Sequence, residues 1–315
     1  MRLVARTLAA TLAWSMAVAV SAEAAASRSA NAEIWRAAMT SARWTGPMLA
    51  STAETLPRGH FYTEPYFFDV IVHGDHHPGS SGFYQYGLLN NLTVGFQPSF
   101  ATATNHVGRG MAIGDFKLVS QLRLTHFTPD HRVPTIALVL NEVIPTGKFD
   151  RLAPSQEGHG SGAIATEVGV NVQQWFLLKN GRLLRARINV LQRLYNETRV
   201  EGRSVYGTNA IFHGNARPGA RTTLIGAVEY SLTNEWVLAM DVEADFAGRT
   251  TLAGREGGGP LVTTTSPASR DVGFAPAVEY NWSPTTGALL GLWIIPKGHN
   301  SPASVTPAIA ISRFW

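Results

Sequence analysis

The stretch Glu235–Phe246 reads Glu-Trp-Val-Leu-Ala-Met-Asp-Val-Glu-Ala-Asp-Phe. Trp236, Leu238, Met240, Val242, Ala244 and Phe246 fall on one parity; Glu235, Val237, Ala239, Asp241, Glu243 and Asp245 fall on the other. Successive side chains of a strand point to opposite faces. The segment is therefore a ribbon with one greasy side and one side rich in carboxylates, whereas a helix would scatter those carboxylates around its circumference. The same split recurs in Arg182–Tyr195, where Leu184, Ala186, Ile188 and Val190 oppose Arg185, Arg187, Asn189 and Arg193. It recurs in Ile164–Gln174 and in Ile113–Thr125, where Val168, Val170 and Val172 oppose Glu167, Asn171 and Gln173, and Phe116, Leu118, Leu122 and Leu124 oppose Asp115, Lys117, Gln121 and Arg123.

Soluble sandwiches alternate too, so length has to decide. These runs cover about 11 to 14 residues, against roughly 5 to 6 for an ordinary globular strand and about 9 to 11 for a tilted transmembrane strand. Composition agrees. Of 315 residues, 45% are hydrophobic and only 15% charged, where a soluble domain carries about 25% charge. Beyond the N-terminus no stretch offers the roughly 20 consecutive apolar residues of a transmembrane helix. The expected fold is all-β: a transmembrane antiparallel up-and-down barrel of about twelve strands, within a range of ten to fourteen.

Connections divide into tight joints and long Gly-rich ones in strict alternation, as in barrels with short turns at one end and long loops at the other. The tight joints are Asn90-Asn91, 128–132, 179–181, Thr233-Asn234 and 283–286. The long ones are 73–82, 101–110, 147–160, 196–219 and 248–270, with a shorter one at 297–302. The implied strands are 60–73, 82–89, 92–100, 110–127, 133–146, 161–177, 182–195, 220–232, 235–247, 271–282, 286–296 and 303–315. Tyr86, Tyr230 and Tyr280 enter tight joints, where an aromatic girdle belongs.

Residues 1–24 read as a secretory signal: Arg2 and Arg6, an apolar run from Thr7 to Val20, then small residues from Ser21 to Ala26. Export through the Sec pathway to the outer membrane of a Gram-negative bacterium follows as the expected location. Residues 25–59 are expected to be an N-terminal periplasmic or plug segment, with Trp35, Trp44 and Met48 either as apolar plug contacts or as the packing of a small capping helix, and 60–315 the barrel. The chain stops at Phe314-Trp315 on an aromatic final strand, similar to the signal read by the barrel-assembly machinery. That machinery, outer-membrane lipid and a small solute are the expected partners. The net charge of +4 is dispersed, which excludes a nucleic-acid footprint, and the absence of Cys excludes disulfides and thiolate chemistry.

Gly114-Asp115-Phe116 with Leu118, Ser120 and Leu122, the strand end Val143-Ile-Pro-Thr-Gly147, the Tyr-x-Leu-Thr-Asn hairpin and Leu56-Pro-Arg-Gly-His-Phe61 with Glu64-Pro-Tyr66 are shared motifs. In these the chain resembles the outer-membrane family named for transporters of the meta-pathway of phenol degradation. The resemblance runs from about Trp44 onward. It implies a barrel passing small, often aromatic, molecules and supplies no catalytic or binding residues.

Charge on the lipid side costs about 2 to 4 kcal/mol per Arg or Lys at mid-membrane, so the polar faces should point inward. Arg185, Arg187, Arg193, Glu229, Asp241, Glu243, Asp245 and Glu167 are then the expected lumen-lining residues, either as a transverse field that orients a solute or as a salt-bridged network that rigidifies the barrel. No enzyme, no cofactor and no metal is expected. Two other motifs carry reactive residue types. His73-Gly-Asp-His-His77 offers ligand types but no spacing that fixes tetrahedral geometry, and reads as a solvated outer loop. His159 and Ser161 share a strand face and could pair as base and nucleophile of a lipid hydrolase. Asn171, ten residues from Ser161, lies over about 30 Å along the strand and cannot orient the histidine. The expected function is diffusion of a small solute through a charge-lined lumen. The alternatives are a sealed structural or surface-interaction barrel and, behind it, the hydrolase.

Overall fold

The structure is a computed structural model that describes residues 31–105 and 108–315. The signal segment 1–24 lies outside the described residues. Among the described residues a helix, α1 (31–41), leads through an extended stretch (42–60) to eighteen strands. Twelve of them close into one antiparallel barrel: β1 (Phe61–Val72), β2 (Asp75–Leu89), β3 (Leu92–Gln97), β6 (Phe116–Arg123), β7 (Thr135–Ile144), β8 (Ala165–Leu177), β9 (Leu183–Tyr195), β12 (Arg221–Ser231), β13 (Trp236–Ala247), β16 (Ser269–Ser283), β17 (Thr286–Ile295) and β18 (Ser304–Phe314). The seam is β1, which pairs with β2 on one side and β18 on the other, Tyr66 opposite Ala310. Closure leaves the twelve with no free edge, the condition for a sheet in lipid.

The two faces are distributed as lipid requires. On β13, Trp236, Leu238, Met240, Val242 and Phe246 are each 40–46% exposed, while Val237, Ala239, Asp241, Glu243 and Asp245 are 0–8% exposed. A water-soluble strand would show the reverse. The inward face is the carboxylate face, on β13 as on its neighbours. Aromatic pairs gather at the end carrying the short turns, Trp236 against Tyr280 at 4.6 Å and Phe61 against Tyr86 at 4.7 Å.

Several expected boundaries differ. Residues 73–82 are not a long loop. His73 and Gly74 both have positive φ, 52° and 89°, and form a two-residue hairpin turn of the kind that needs left-handed backbone at both positions. The polar run from Pro78 to Gly82 belongs to β2. Gly82 sits where a Cβ would come within 2.7 Å of Pro65 Cα, so this glycine marks close strands and not a loop. The expected strands 92–100 and 110–127 each break in two. Pro98 ends β3, Gly114-Asp115 precede β6, and β4 (Ser99–Asn105) with β5 (Gly108–Ile113) forms a hairpin on β2. The expected loops 196–219 and 248–270 contain β10 (Thr198–Glu201), β11 (Phe212–Arg217), β14 (Thr250–Glu256) and β15 (Val262–Ser266), a four-stranded sheet above the barrel.

Candidate functional site

The inner wall is built from the polar parity of each strand. Glu229 on β12 stands directly opposite Arg185 on β9. Arg185 donates from Nε to Glu229 Oε2 at 2.6 Å and from Nη2 to Oε1, and Arg187 Nε lies 2.9 Å from Oε2. Towards the loop end, Arg193 donates to Glu167 Oε2 at 2.6 Å, Asn141 to Oε1 at 2.8 Å, and Lys117 Nζ stands 3.6 Å away. Arg221 and Thr223 donate to Asp245, at 2.7 and 2.8 Å. Glu243 is buried between Asp241 and Asp245. All eight residues expected from the sequence thus lie on the inner face, but the basic strand and the acidic strand do not confront each other across open water. Arg185 and Arg187 share Glu229, and Arg193 and Arg221 each pair with a carboxylate of their own, in every case one strand away.

Asp241 answers to a different element. Residues 43–59 run along the inner wall as an extended strap, crossing it strand by strand. Glu279 on β16 accepts from Thr45 N at 2.7 Å and Gly46 N at 3.1 Å. Asp241 accepts from Met48 N at 3.0 Å and Ala50 N at 2.9 Å. Arg187 donates to Ala50 O at 2.8 Å, and Asn189 on β9 holds Ser51 by both its N–H and its carbonyl, at 2.8 and 3.0 Å. On β8, Asn171 donates to Thr52 O and Gln173 accepts from the Thr52 hydroxyl. On β6, Gln121 donates to Glu54 O and Arg123 to the Glu54 carboxylate, both at 2.7 Å, and Thr93 on β3 accepts from Leu56 N at 2.8 Å. An extended segment without a strand partner must find side chains for its backbone groups; the wall supplies them. Glu229, Asp241, Glu279 and Gln173 have no exposed surface, so at this level the wall is covered by the strap and by its own neighbouring side chains.

Both ends of the strap are fastened at the short-turn end. Trp35 of α1 packs on Phe127, Trp175 and Leu183. Trp44 meets Trp175 edge-on at 5.1 Å, and the Arg185 guanidinium lies 4.6 and 4.9 Å from the two ring centres. A hollow of about 480 Å³ lies beside this cluster, lined by Arg36, Met39, Glu54, His126, Phe127 and Trp175 among others.

The other motifs resolve into structural roles. The Asp115 carboxylate accepts from Gly147 N at 3.1 Å, Ser161 N at 2.8 Å and the Ser161 hydroxyl at 3.0 Å. It pins the loop 145–164 to the break before β6. A Cβ on Gly160 would lie 2.7 Å from the Gly147 carbonyl oxygen and 2.5 Å from Asp115 Oδ1, and the fixed backbone contact accounts for glycine between His159 and Ser161. The Ser161 proton goes to Asp115, and His159 makes no hydrogen bond to Ser161 among the described residues, so the pair lacks the geometry of a nucleophile and its base. His76 bonds Asp69 at 2.5 Å and His77 stands 3.9 Å from Glu157; among the described residues no three ligand-type side chains converge on a metal position.

No protein-family profile matches the sequence, and no curated protein matches it either. Among solved structures, an outer membrane channel from Pseudomonas putida F1 superposes with a TM-score of 0.60 at 12% identity, over 86% of this chain and 100% of the other. This chain is an outer-membrane-type β-barrel. The NanC porin (TM-score 0.46, 10% identity, 79% of this chain and 98% of the other) and the CymD monoaromatic hydrocarbon channel (0.38, 9%, 82% and 89%) are more distant. Neither bears on what passes through this barrel, and the narrower likeness to the phenol meta-pathway family stands on its short motifs alone. The sequence pointed to the wall charges by parity. It missed Glu279, Asn189, Asn171 and Gln121 as strap holders and Asp115 as a clamp; the one signal available was an amide or carboxylate recurring on the inward parity of successive strands.

Proposed function

We propose that the chain is a solute channel of the Gram-negative outer membrane whose lumen is closed by the strap 43–59 and opens when the strap lifts. The observation that carries this reading is the manner of closure. The strap lies along the inner wall as a separable segment held through side chains, while the wall behind it stays polar on strand after strand. A barrel needing only rigidity can fill itself with wall side chains, as eight-stranded barrels do. The Pseudomonas fold neighbour is described as a channel, in keeping with the proposal. Transport would be diffusion of a small solute along the wall charges, with Arg185, Arg187, Arg193, Glu167, Glu229, Asp241, Glu243 and Asp245 setting charge preference. An aromatic solute is the finer expectation from the family motifs. Secretion on the signal segment and assembly through Phe314-Trp315 complete the proposal.

The competing reading is a sealed structural barrel, favoured by the full burial of Glu229 and Asp241. Planar-bilayer recording separates the two. The channel predicts discrete current steps and a reversal potential displaced towards anions in Asp241→Lys. A silent membrane in both the natural protein and a strap-loosened variant selects the sealed barrel.

A further inference from the structure

The strap is bound in a way that discloses what else the wall can bind. Between Thr45 and Thr52 the wall grips mainly main-chain atoms: N–H of Thr45, Gly46, Met48, Ala50 and Ser51, and carbonyls of Ala50, Ser51 and Thr52. Asn189 takes both groups of one residue, and Asp241 and Glu279 each take two N–H donors. Recognition of main chain carries little sequence information. The side chain of Ala50 enters only as a methyl group against Ile225 and Ala227. Glu279 Oε1 and Gln173 Nε2 have no protein partner among the described residues, so the wall holds hydrogen-bonding capacity the strap does not use.

We infer that the inner wall formed by Glu279, Asp241, Arg187, Asn189 and Asn171 is a binding groove for extended oligopeptides, which the strap occupies as a tethered stand-in. This deepens the channel reading and rests on it: a short peptide is the class of solute whose donors and acceptors match the wall once the strap has lifted. The tether gives the strap a high local concentration, so a free peptide competes poorly until the strap is loosened.

The test uses the full chain in detergent with an end-capped alternating Ala-Gly hexapeptide as probe and calorimetric binding as readout. Ala50→Pro removes the N–H that Asp241 accepts. It should bind the hexapeptide at least tenfold more tightly than the natural protein. The same peptide N-methylated throughout, which lacks the donors, should bind at least tenfold more weakly, and adding Asn189→Ala should abolish the gain. If Ala50→Pro does not assemble, Ser51→Pro removes the donor to Asn189 and carries the same expectation. Equal binding of the N-methylated peptide, or no gain on loosening the strap, overturns the groove. Bilayer recording on the same variants keeps the two readings apart. Current steps that the hexapeptide never interrupts overturn the groove and leave the channel; calorimetric binding in a silent membrane overturns the channel and leaves the groove.

Discussion

At Glu229 two guanidinium groups and one carboxylate share a site with no exposed surface on the acid and 8% or less on either arginine side chain. Such a cluster adds little net stability, because desolvation offsets the attraction, but it is intolerant of losing one member. Glu229→Gln removes the one carboxylate bonded to both Arg185 and Arg187, and a loss of about 3 to 5 kcal/mol is expected from the general cost of breaking a buried pair. Reversible urea unfolding followed by tryptophan fluorescence measures it. Replacing Arg185, Arg187 and Glu229 together by Met should cost distinctly less, since no member of the buried cluster is left without its partner; an equal loss in both would mean that packing and not charge sets the penalty. Asp115 is the opposite case, a single anion holding several backbone and hydroxyl donors. In Asp115→Ala the loop 145–164 should become cleavable by added protease within the time the natural loop survives, while the barrel resists throughout.

Strand β13 carries the contrast between faces and so tests the membrane assignment. Val242, at the middle of its outward row, should cost about 2 to 4 kcal/mol when replaced by Arg, and Phe246, nearer the loop end, should suffer only about 0 to 1 kcal/mol from the charge itself. Folding titrations into lipid vesicles measure both, and equal penalties would remove the depth gradient on which the lipid belt rests. Above the barrel, Glu201 on β10 bonds Arg151, and that guanidinium holds its carboxyl below the usual glutamate range. A carboxyl depressed in the folded state stabilises at neutral pH and loses that contribution as pH falls through its folded value. Protection of the Arg151 and Leu152 amides, their exchange measured against the intrinsic rate at each pH, should therefore fall below about pH 4, the ordinary glutamate value, and in Glu201→Gln that protection should stay constant across the range. The twelve barrel strands were legible because lipid and water impose a period of two that no loop imitates, as Trp236 to Phe246 illustrate. Strands β10, β11, β14 and β15 were not, since they run only four to seven residues and their buried apolar residues, Val200, Phe212 and Ala216 with Leu252 against them, are too few per strand to mark a period of two. Pro78–Gly82 hid inside a presumed loop because its glycines serve close strand approach. The faces of Arg185 and Asp241 followed from parity; their partners did not, because pairing depends on register and on a strap with no periodicity of its own.

Considered as a whole, the molecule is a closed ladder whose strand pairing is complete without the segment inside it. The strap forms no strand pairing and is fixed at its two ends, through β1 on one side and the α1 cluster on the other. A segment tethered twice has to bow inward or release one tether, and only the α1 tether is non-covalent. Its anchors are Trp35 against Phe127 at 5.4 Å and Trp44 against Trp175 at 5.1 Å, with Arg185 and Arg132 over the rings. An aromatic pair contributes about 0.5 to 1.5 kcal/mol beyond its buried area. Removing both in Trp35→Ala with Trp44→Ala should shift the docked-to-released balance by roughly 3 kcal/mol, or about a hundredfold at 1.4 kcal/mol per decade. The expected result in a planar bilayer is a large rise in open probability at unchanged single-channel step size, since the wall is untouched. The folded band in heat-modifiability gels should keep its transition temperature, because no ladder hydrogen bond is lost. A double variant that opens no more often than the natural protein, with the folded band intact, would show that the strap bows while α1 stays docked. A fall in transition temperature alongside the opening would show instead that α1 helps hold the barrel wall together.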